Sequence, residues 1–205
     1  IIKRLPIRTT YDDNYFNDKY SGIPIGGYTQ LFENLLNDID CQTSVDYLKD
    51  RDKLNALAKK IVYTGPIDEF FDYQFGVLEW RSLRFEQEEL QTVDFQGNAV
   101  INYTDYEVPY TRIIEHKHFE QSGGDNTIIT KEYPQDWDKS KEKFYPVNNQ
   151  VNNELYLKYE KIIDKKRYIF GGRLAKYKYY DMHQVIGSAL SVAEKEIKRR
   201  TNERR

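Results

Sequence analysis

A strand-like segment that ends in a glycine pair and leads to a helix carries the clearest chemical signal in the sequence. It reads FGGRLAKYKYYDMHQVIGSAL, with Gly171 and Gly172 at the turn and Asp181 before the helix. Glycines let a backbone or a ligand approach closely, and the first turn of a helix offers free N–H groups to an anion. A phosphate, or the electron-rich end of a flavin ring, suits such a place. An ordinary strand, turn and capped helix produces the same pattern and, from the pattern alone, is the more frequent explanation.

Arginines that stand near aromatic residues form a second signal: Arg4, Arg81, Arg112 and Arg173. The guanidinium group is a planar fork for phosphate oxygens, and tyrosine hydroxyls donate to the same oxygens. Arg112 stands in VPYTRIIEHKHF, just after a turn signal. Ion pairing with surface carboxylates is the simpler explanation for any single arginine, so the sequence leaves both interpretations open.

Two histidines, His116 and His118, are two positions apart in a predicted strand, so their side chains are expected on one face. Such a pair could bind a metal ion, but the spacing indicates no third ligand, and a histidine pair in a sheet is more often structural. We therefore predict no metal site. Cys41 has no histidine close in sequence, and no GxSxG motif supports serine catalysis. His183, in the first turn of the last predicted helix, is open to a cofactor contact or to an ordinary helical position.

The composition excludes several functional classes. The 205 residues include 31 basic and 33 acidic side chains, a net charge of −2, so no strong field directs the chain to nucleic acid or anionic lipid. The 18 tyrosines indicate surfaces that need a flat apolar body with a polar tip, such as ligand clefts. A single cysteine excludes an intramolecular disulfide, and no apolar run reaches the length of a membrane span. We expect a cytoplasmic protein with no membrane or nucleic-acid partner.

The first third of the chain alternates helical and strand patterns. Apolar residues from Tyr28 to Leu36 follow a helical period, and Ser44–Leu48 is predicted as a short strand. A short helix is expected at about Arg51–Lys60. The strand IVYT then stops at a Gly-Pro pair, and Asp68 could cap another turn. This rhythm is typical of the edge of an α/β sheet.

The middle and the end of the chain differ from the first third. Short β-rich runs separated by turn signals predict an antiparallel meander from Leu78 to about Pro146. A helix from Asn153, the strand RYIFGG and a helix from Asp181 follow. We predict an α/β plus α+β protein with four parts: 1–22 a loop, 23–77 an α/β part, 78–150 an antiparallel sheet, and 151–205 a second α/β part with a C-terminal helix.

Eight stretches of the sequence occur in the order and with the spacing of one family: IPIGGYTQLFENLL, IVYTGPIDEFFDYQFG, LEWRSLRFE, FQGNAVINYTD, VPYTRIIEHKHF, TKEYP, YPVNN and FGGRLAKYKYYDMHQVI. The chain resembles the C-terminal half of bacterial UDP-galactopyranose mutase over essentially its whole length. The stretches VPYTRIIEHKHF and GGRLAKYKYYDMHQ are far more specific than a lone glycine motif. The resemblance implies that 1–22 is a mobile substrate loop and linker, that 23–77 is part of an FAD-binding α/β domain, that 78–150 is an antiparallel sheet domain for the substrate, and that 151–205 returns to the FAD-binding domain.

The resemblance implies an isomerase that interconverts UDP-galactopyranose and UDP-galactofuranose for cell-surface polysaccharides. Reduced FAD acts without net redox change, through an adduct between flavin N5 and the galactosyl group, and the protein supplies position and charge. The resemblance also implies a possible homodimer.

The family's functional residues map onto matching motifs here. Arg4, on the mobile loop, and Arg112 match the arginines that hold the UDP diphosphate, and Arg4 is expected to become ordered only with nucleotide. The other substrate-side matches are Tyr15, Phe16, Arg81, Asn102, Tyr145 and Tyr179. The flavin-side matches are Arg173, Tyr180, Asp181 and Met182.

One departure is large. No GxGxxG segment, which in this family opens the FAD-binding domain, occurs in these 205 residues. We therefore interpret the chain as a fragment that lacks that segment and expect it to be inactive alone. The alternatives are a non-catalytic nucleotide-sugar binding fragment and an amine oxidase-like flavin oxidoreductase, against which Arg4 and Arg112 argue.

Overall fold

Two sheets and seven helices make up the chain in a computed structural model that describes residues 9–11, 18–120 and 123–203, with only the backbone of Glu203. The helices are α1 Gly27–Leu35, α2 Arg51–Leu57, α3 Ile67–Phe70, α4 Lys117–Glu120, α5 Gln150–Lys161, α6 Gly172–Ala175 and α7 Met182–Glu203. The strands are β1 Ile61–Tyr63, β2 Trp80–Leu90, β3 Val100–Asn102, β4 Arg112–Glu115, β5 Thr127–Asp136, β6 Tyr145–Pro146 and β7 Tyr168–Phe170. The predicted mixed fold class is confirmed at this level.

The larger sheet has five antiparallel strands in the order β3-β4-β5-β2-β6. The predicted meander is right for β3, β4 and β5 and wrong for β2, which pairs with β5 from Arg81↔Asp136 to Leu90↔Thr127 rather than with β3. The ten paired residues of β2 and β5 form a longer ladder than three-residue β3 could offer. This order places the start of β2 beside β6 and the end of β5.

The smaller sheet is the parallel pair β1 and β7, in which Val62 lies opposite Ile169. An aromatic core packs beside it. The ring of buried Phe70 lies 4.9–5.1 Å, between centroids, from the rings of Tyr63, Phe71, Tyr168 and Phe170. Edge-to-face contacts at such distances add to the free energy gained by burying the rings.

The predicted strand Ser44–Leu48 is wrong. No strand forms there, because the Asp46 carboxylate accepts the N–H groups of Leu48 and Lys49, and Ser44 has a positive φ of 58°. This local turn competes with pairing into a sheet. Asp68 also differs from its expected role: Pro66 is the N-cap of α3, and the buried Asp68 carboxylate accepts the amide of Leu78 at 3.0 Å. Burial raises the pKa of Asp68.

The helix boundaries follow their caps. Helix α5 begins at Gln150, three residues before the expected start, because the Asn149 side chain accepts the Asn152 N–H at 2.8 Å. Helix α7 begins directly after Asp181, whose N–H donates to the Gln184 side chain at 2.9 Å. Among the described residues, no helix combines the length and the apolar character needed to cross a membrane.

Helix α1 and helix α7 carry the apolar stripes that their sequences predict, but several of these side chains are exposed. Helix α1 has no buried residue, and Phe32 and Leu35 are more than half exposed. In α7 the same is true of Met182, Ile186, Leu190 and Ile197.

Candidate substrate site

A cavity of about 1130 Å³ opens where the start of β2, the end of β5 and strand β6 meet. Four of the residues singled out in the sequence line it: Arg81, Arg112, Tyr145 and Tyr179. They come from β2, β4, β6 and the segment before α7, which are far apart in the chain. The cavity therefore brings two arginines and two tyrosines together on a concave surface that also includes Glu79, Glu132 and Asp136. The arginines and tyrosines are hydrogen-bond donors of the kind that bind an anionic ligand.

Arg112 forms an ion pair with a buried carboxylate. Its Nε lies 3.2 Å from Oε1 of Glu132, the residue opposite it in the β4–β5 ladder. The Glu132 side chain is only 8 % exposed, whereas that of Arg112 is 38 % exposed. The Thr111 hydroxyl donates to the same Glu132 oxygen at 3.1 Å. Because the ion pair uses Nε, the two terminal nitrogens of Arg112 are the atoms that would donate to a ligand.

Tyr145 and Tyr179 form a stacked pair on another wall of the cavity. Their ring centroids are 5.0 Å apart and the rings are nearly parallel, at 16°. The Arg173 guanidinium lies 5.3 Å from the Tyr145 ring and 5.4 Å from the Tyr179 ring, and its Nη2 donates to the Phe144 carbonyl. Burial, with Tyr179 and Glu132 nearby, raises the pKa of Tyr145. Its hydroxyl therefore stays protonated and can donate a hydrogen bond.

Arg81 enters the cavity through strand pairing. It lies opposite Tyr145 in the short β2–β6 ladder, and its carbonyl accepts the Phe144 N–H at 3.0 Å. Asn102 lies opposite Arg112 in the β3–β4 ladder, so the two belong to one face of the sheet, but Asn102 is exposed and is not a wall of the cavity.

The remaining predicted residues lie elsewhere. Helix α7 begins at Met182, and Tyr180 and Asp181 directly precede it. None of these three residues lines the cavity. Arg4, Tyr15 and Phe16 are outside the described residues, so their roles stay predictions.

Sequence reasoning did not name the other residues that line the cavity, among them Trp80, Glu132 and Trp137. Trp80 stands directly before Arg81, and Glu132 lies in TKEYP, one of the stretches that carry the resemblance. A carboxylate on the buried face of a strand needs a cation, and that signal could have identified Glu132 as the partner of an arginine.

His116 and His118 contact different partners. The expectation that both side chains lie on one face of a strand is therefore wrong. Strand β4 ends at Glu115 and the chain turns, with the Phe119 N–H donating to the His116 carbonyl. The His116 ring contacts the Thr130 hydroxyl at 2.7 Å. His118 Nε2 lies 3.3 Å from Glu115 and 3.4 Å from Asp94.

Glu115, Asp94 and His118 place their possible ligand atoms within 4.8 Å of one another, a grouping that the spacing of the histidines did not indicate. The carboxylate of fully buried Glu115 already accepts N–H groups from Phe95 and Gln96 and the Thr127 hydroxyl at 2.7 Å. Those contacts fasten the loop before β3 to the sheet, and they account for the burial of the carboxylate.

We expect Glu115→Gln to lower the free energy of unfolding by about 1–3 kcal/mol at neutral pH, because an amide group would face N–H donors. Burial alone would raise the pKa of Glu115, but hydrogen bonds from Thr127, Gln96 and Phe95 and the nearby His118 lower it from its usual 4.5. The carboxylate therefore stabilises the fold above that value, and its contribution is lost as pH falls through the lowered native pKa.

Urea unfolding of both proteins from neutral pH to below pH 4 measures this difference. Glu88→Gln is the matched control, since the Glu88 side chain is half exposed and pairs only with Lys131 among the contacts described. A difference between wild type and Glu115→Gln that persists unchanged in acid would contradict the assignment.

Comparison with known proteins identifies the family. A sequence profile of UDP-galactopyranose mutase matches residues 1–179. The chain belongs to the UDP-galactopyranose mutase family. This confirms the resemblance read from the eight stretches, and the four cavity residues that the sequence predicted lie in or directly at the end of the matched region.

Individual members of the UDP-galactopyranose mutase family and related mutases match the chain over nearly its whole length. A dTDP-fucopyranose mutase of Escherichia coli is 40 % identical over 97 % of the chain and 54 % of its own length. A probable UDP-galactopyranose mutase of Klebsiella pneumoniae is 38 % identical over 95 % of the chain and 50 % of its own length. A UDP-galactopyranose mutase of Mycoplasma pneumoniae is 31 % identical over 95 % and 53 %. The chain spans about half the length of these relatives.

Proposed function

We propose that the protein containing this chain interconverts UDP-galactopyranose and UDP-galactofuranose. The observation that carries the proposal is the joining of Arg81, Arg112, Tyr145 and Tyr179 in one cavity of a chain that belongs to this family. The diphosphate of a sugar nucleotide has the charge and the oxygen acceptors that these four donors require. The two named UDP-galactopyranose mutases among the relatives support the choice of sugar nucleotide.

In this mechanism the arginines stabilise the leaving group. As the bond between the anomeric carbon and the diphosphate breaks, negative charge grows on the diphosphate oxygen, and the Arg112 fork compensates it. The ion pair between Glu132 and Arg112, with Nε 3.2 Å from the carboxylate, keeps the cation beside the cavity. The hydroxyls of Tyr145 and Tyr179 donate to the diphosphate and Arg81 adds a second cation. We assign Arg4 to the diphosphate, Tyr15 and Phe16 to the nucleotide, and Asn102 to the substrate side.

Reduced FAD fits the residues beside this cavity. The Nε of Arg173 is buried without a hydrogen-bond partner among the described residues, and exposed Met182 opens the 22-residue helix α7. A helix N-terminus favours the electron-rich end of a flavin ring, so we assign Arg173, Tyr180, Asp181 and Met182 to the cofactor. When bound, the reduced cofactor would supply a nucleophile for the anomeric carbon, with no net redox change. The residues of this chain would hold the ligands and exclude water.

The purified native protein tests the proposal directly. With dithionite-reduced FAD we expect conversion of UDP-galactofuranose to UDP-galactopyranose, followed by chromatography, and little conversion with oxidised FAD. Binding of UDP without conversion in either state would favour the non-catalytic alternative. Oxidation of an amine with reduction of FAD would favour the oxidoreductase.

A dTDP-sugar is the second candidate substrate, because the E. coli relative that is 40 % identical is named a dTDP-fucopyranose mutase. Thymine and uracil differ by one methyl group, which a pocket distinguishes only modestly, so the choice depends on whether the site hydrogen-bonds the ribose 2′-hydroxyl and the C6 hydroxyl that dTDP-fucose lacks. Parallel assays with UDP-galactofuranose and dTDP-fucofuranose, compared by kcat/KM, decide between the two sugar nucleotides.

A further inference from the structure

The buried tyrosine Tyr177 lies where three segments that line the cavity meet. They are the start of β2, the end of β6 and the segment that leads to Tyr179. Tyr177 is 3 % exposed and lies between α6 and Tyr179, with a positive φ of 49°. Its ring packs against Trp80 edge-to-face at 5.0 Å and parallel to Tyr156 at 6.2 Å. Burial raises its pKa, so the hydroxyl stays a neutral donor.

The Tyr177 hydroxyl connects two strands that are otherwise joined by a short ladder. It donates to the Glu79 carbonyl at 2.5 Å and accepts the Val147 N–H at 3.1 Å. Glu79 directly precedes β2 and Val147 directly follows β6. The Val147 N–H also donates to the Glu79 carbonyl at 3.1 Å. The hydroxyl of Tyr177, the carbonyl of Glu79 and the amide of Val147 therefore form one hydrogen-bonded group, here called the junction.

The spacing around this junction is regular. Arg81 is two residues after Glu79, Tyr145 is two residues before Val147, and Tyr179 is two residues after Tyr177. Arg81 and Tyr145 are also cross-strand partners, and Tyr145 stacks on Tyr179. A shift of the junction would therefore displace all three cavity side chains together.

We propose that the Tyr177 hydroxyl is a positioning group that fixes Arg81, Tyr145 and Tyr179 relative to one another. The site that it serves is the one in the proposed function, so the inference rests on that function for its catalytic consequence. The hydroxyl does not touch the ligand in this assignment. Without it, Val147 and Glu79 keep their own hydrogen bond and the ring can stay packed, so the fold survives while the alignment loosens.

Tyr177→Phe in the native protein is the test, with Tyr159→Phe as the matched control. Tyr159 is also a fully buried tyrosine, and its hydroxyl makes the same kind of contacts: it donates to the Gly76 carbonyl at 2.6 Å and accepts the Phe75 N–H at 3.1 Å. Tyr159 is not a wall of the cavity. The two variants lose the same atom from similar environments, and both melting temperatures are measured.

Hydrogen exchange reports on the junction without any ligand. We expect faster exchange of the amides of Val147 and of residues 80–82 in Tyr177→Phe and unchanged exchange there in Tyr159→Phe. UDP affinity by calorimetry should fall about tenfold in Tyr177→Phe, since small misplacements of binding groups have effects of this order or larger. In Tyr159→Phe it should stay within twofold of wild type, about the precision of such a comparison.

The outcomes separate this inference from the proposed function. Wild-type exchange at the junction in Tyr177→Phe, or equal loss of UDP affinity in both variants, would overturn the positioning role. If wild type itself binds no UDP and converts no sugar nucleotide, the proposed function fails. The exchange data then still decide whether Tyr177 fixes the junction: faster local exchange supports it, and unchanged exchange refutes it.

Discussion

Replacing Arg112 with alanine is expected to lower kcat for conversion of UDP-galactofuranose by about 10²–10³, or roughly 3–4 kcal/mol at the transition state. Two arguments support so large an effect. In the proposed mechanism the charge that Arg112 compensates grows as the anomeric bond breaks, and the Arg112 side chain lines the cavity with Glu132 beside it. Removing the cation also leaves the Glu132 carboxylate buried without its partner, which repels an anionic ligand. Steady-state assays with reduced FAD measure kcat and KM separately.

The control for Arg112 is Arg84→Ala. Arg84 lies on β2 of the same sheet, half exposed, with its guanidinium 4.0 Å from the centre of the Tyr133 ring, and it is not a cavity wall. Its loss should change kcat by less than about twofold, as expected for an exposed surface charge. If Arg112→Ala retains turnover within a few-fold of wild type, the diphosphate is held by other groups and the role assigned to Arg112 is wrong.

Replacing Phe70 with alanine is expected to lower the free energy of unfolding by about 3–5 kcal/mol. Phe70 is 4 % exposed and is the residue on which the rings of Tyr63, Phe71 and Phe170 converge. The Arg51 guanidinium also lies 4.4 Å from the Phe70 ring centre. Truncation removes these contacts and leaves a cavity between β1, β7 and α3, which rigid neighbouring rings fill only in part.

Urea denaturation of the native protein, followed by circular dichroism, gives this value. Phe85→Ala is the comparison, because Phe85 is 46 % exposed and its ring contacts that of Phe144 at 5.7 Å. Its replacement should cost less than about 1.5 kcal/mol, in keeping with a partly exposed ring. Equal losses in the two variants would mean that the aromatic core around Phe70 is not a main source of stability.

Local signals in the sequence were sufficient for several elements. Helix α1 and helix α7 have the periodic apolar positions that predicted them, and both were placed within two residues of their observed starts. The ladder of β2 and β5 lies in two runs rich in strand-forming residues. Periodicity and turn residues act over a few positions, and these elements depend on little else.

Pairing across the chain was harder to predict. The position of β2 beside β5 rather than β3 depends on the relative lengths of strands that are about forty residues apart. The pairing of Arg112 with Glu132 follows from the register of β4 and β5, and the meeting of His118 with Asp94 follows from a turn after Glu115. For the site, the family resemblance named four cavity residues, whereas Tyr177 gave no signal because its role lies in hydrogen bonds to backbone atoms.

The parallel pairing of β1 with β7 has a consequence for how the chain is made. Ile61 pairs with Tyr168, and the whole five-stranded sheet lies between them in sequence. At a synthesis rate of about 5–20 residues per second, β1 emerges from the ribosome roughly 5–20 s before its partner. During that interval the rings of Tyr63 and Phe70 lack Phe170, which covers them in the finished protein. In the five-stranded sheet, the pairs β3–β4 and β4–β5 join strands that are neighbours in sequence and can form first, so newly made chains should present an uncovered aromatic face to chaperones until β7 arrives.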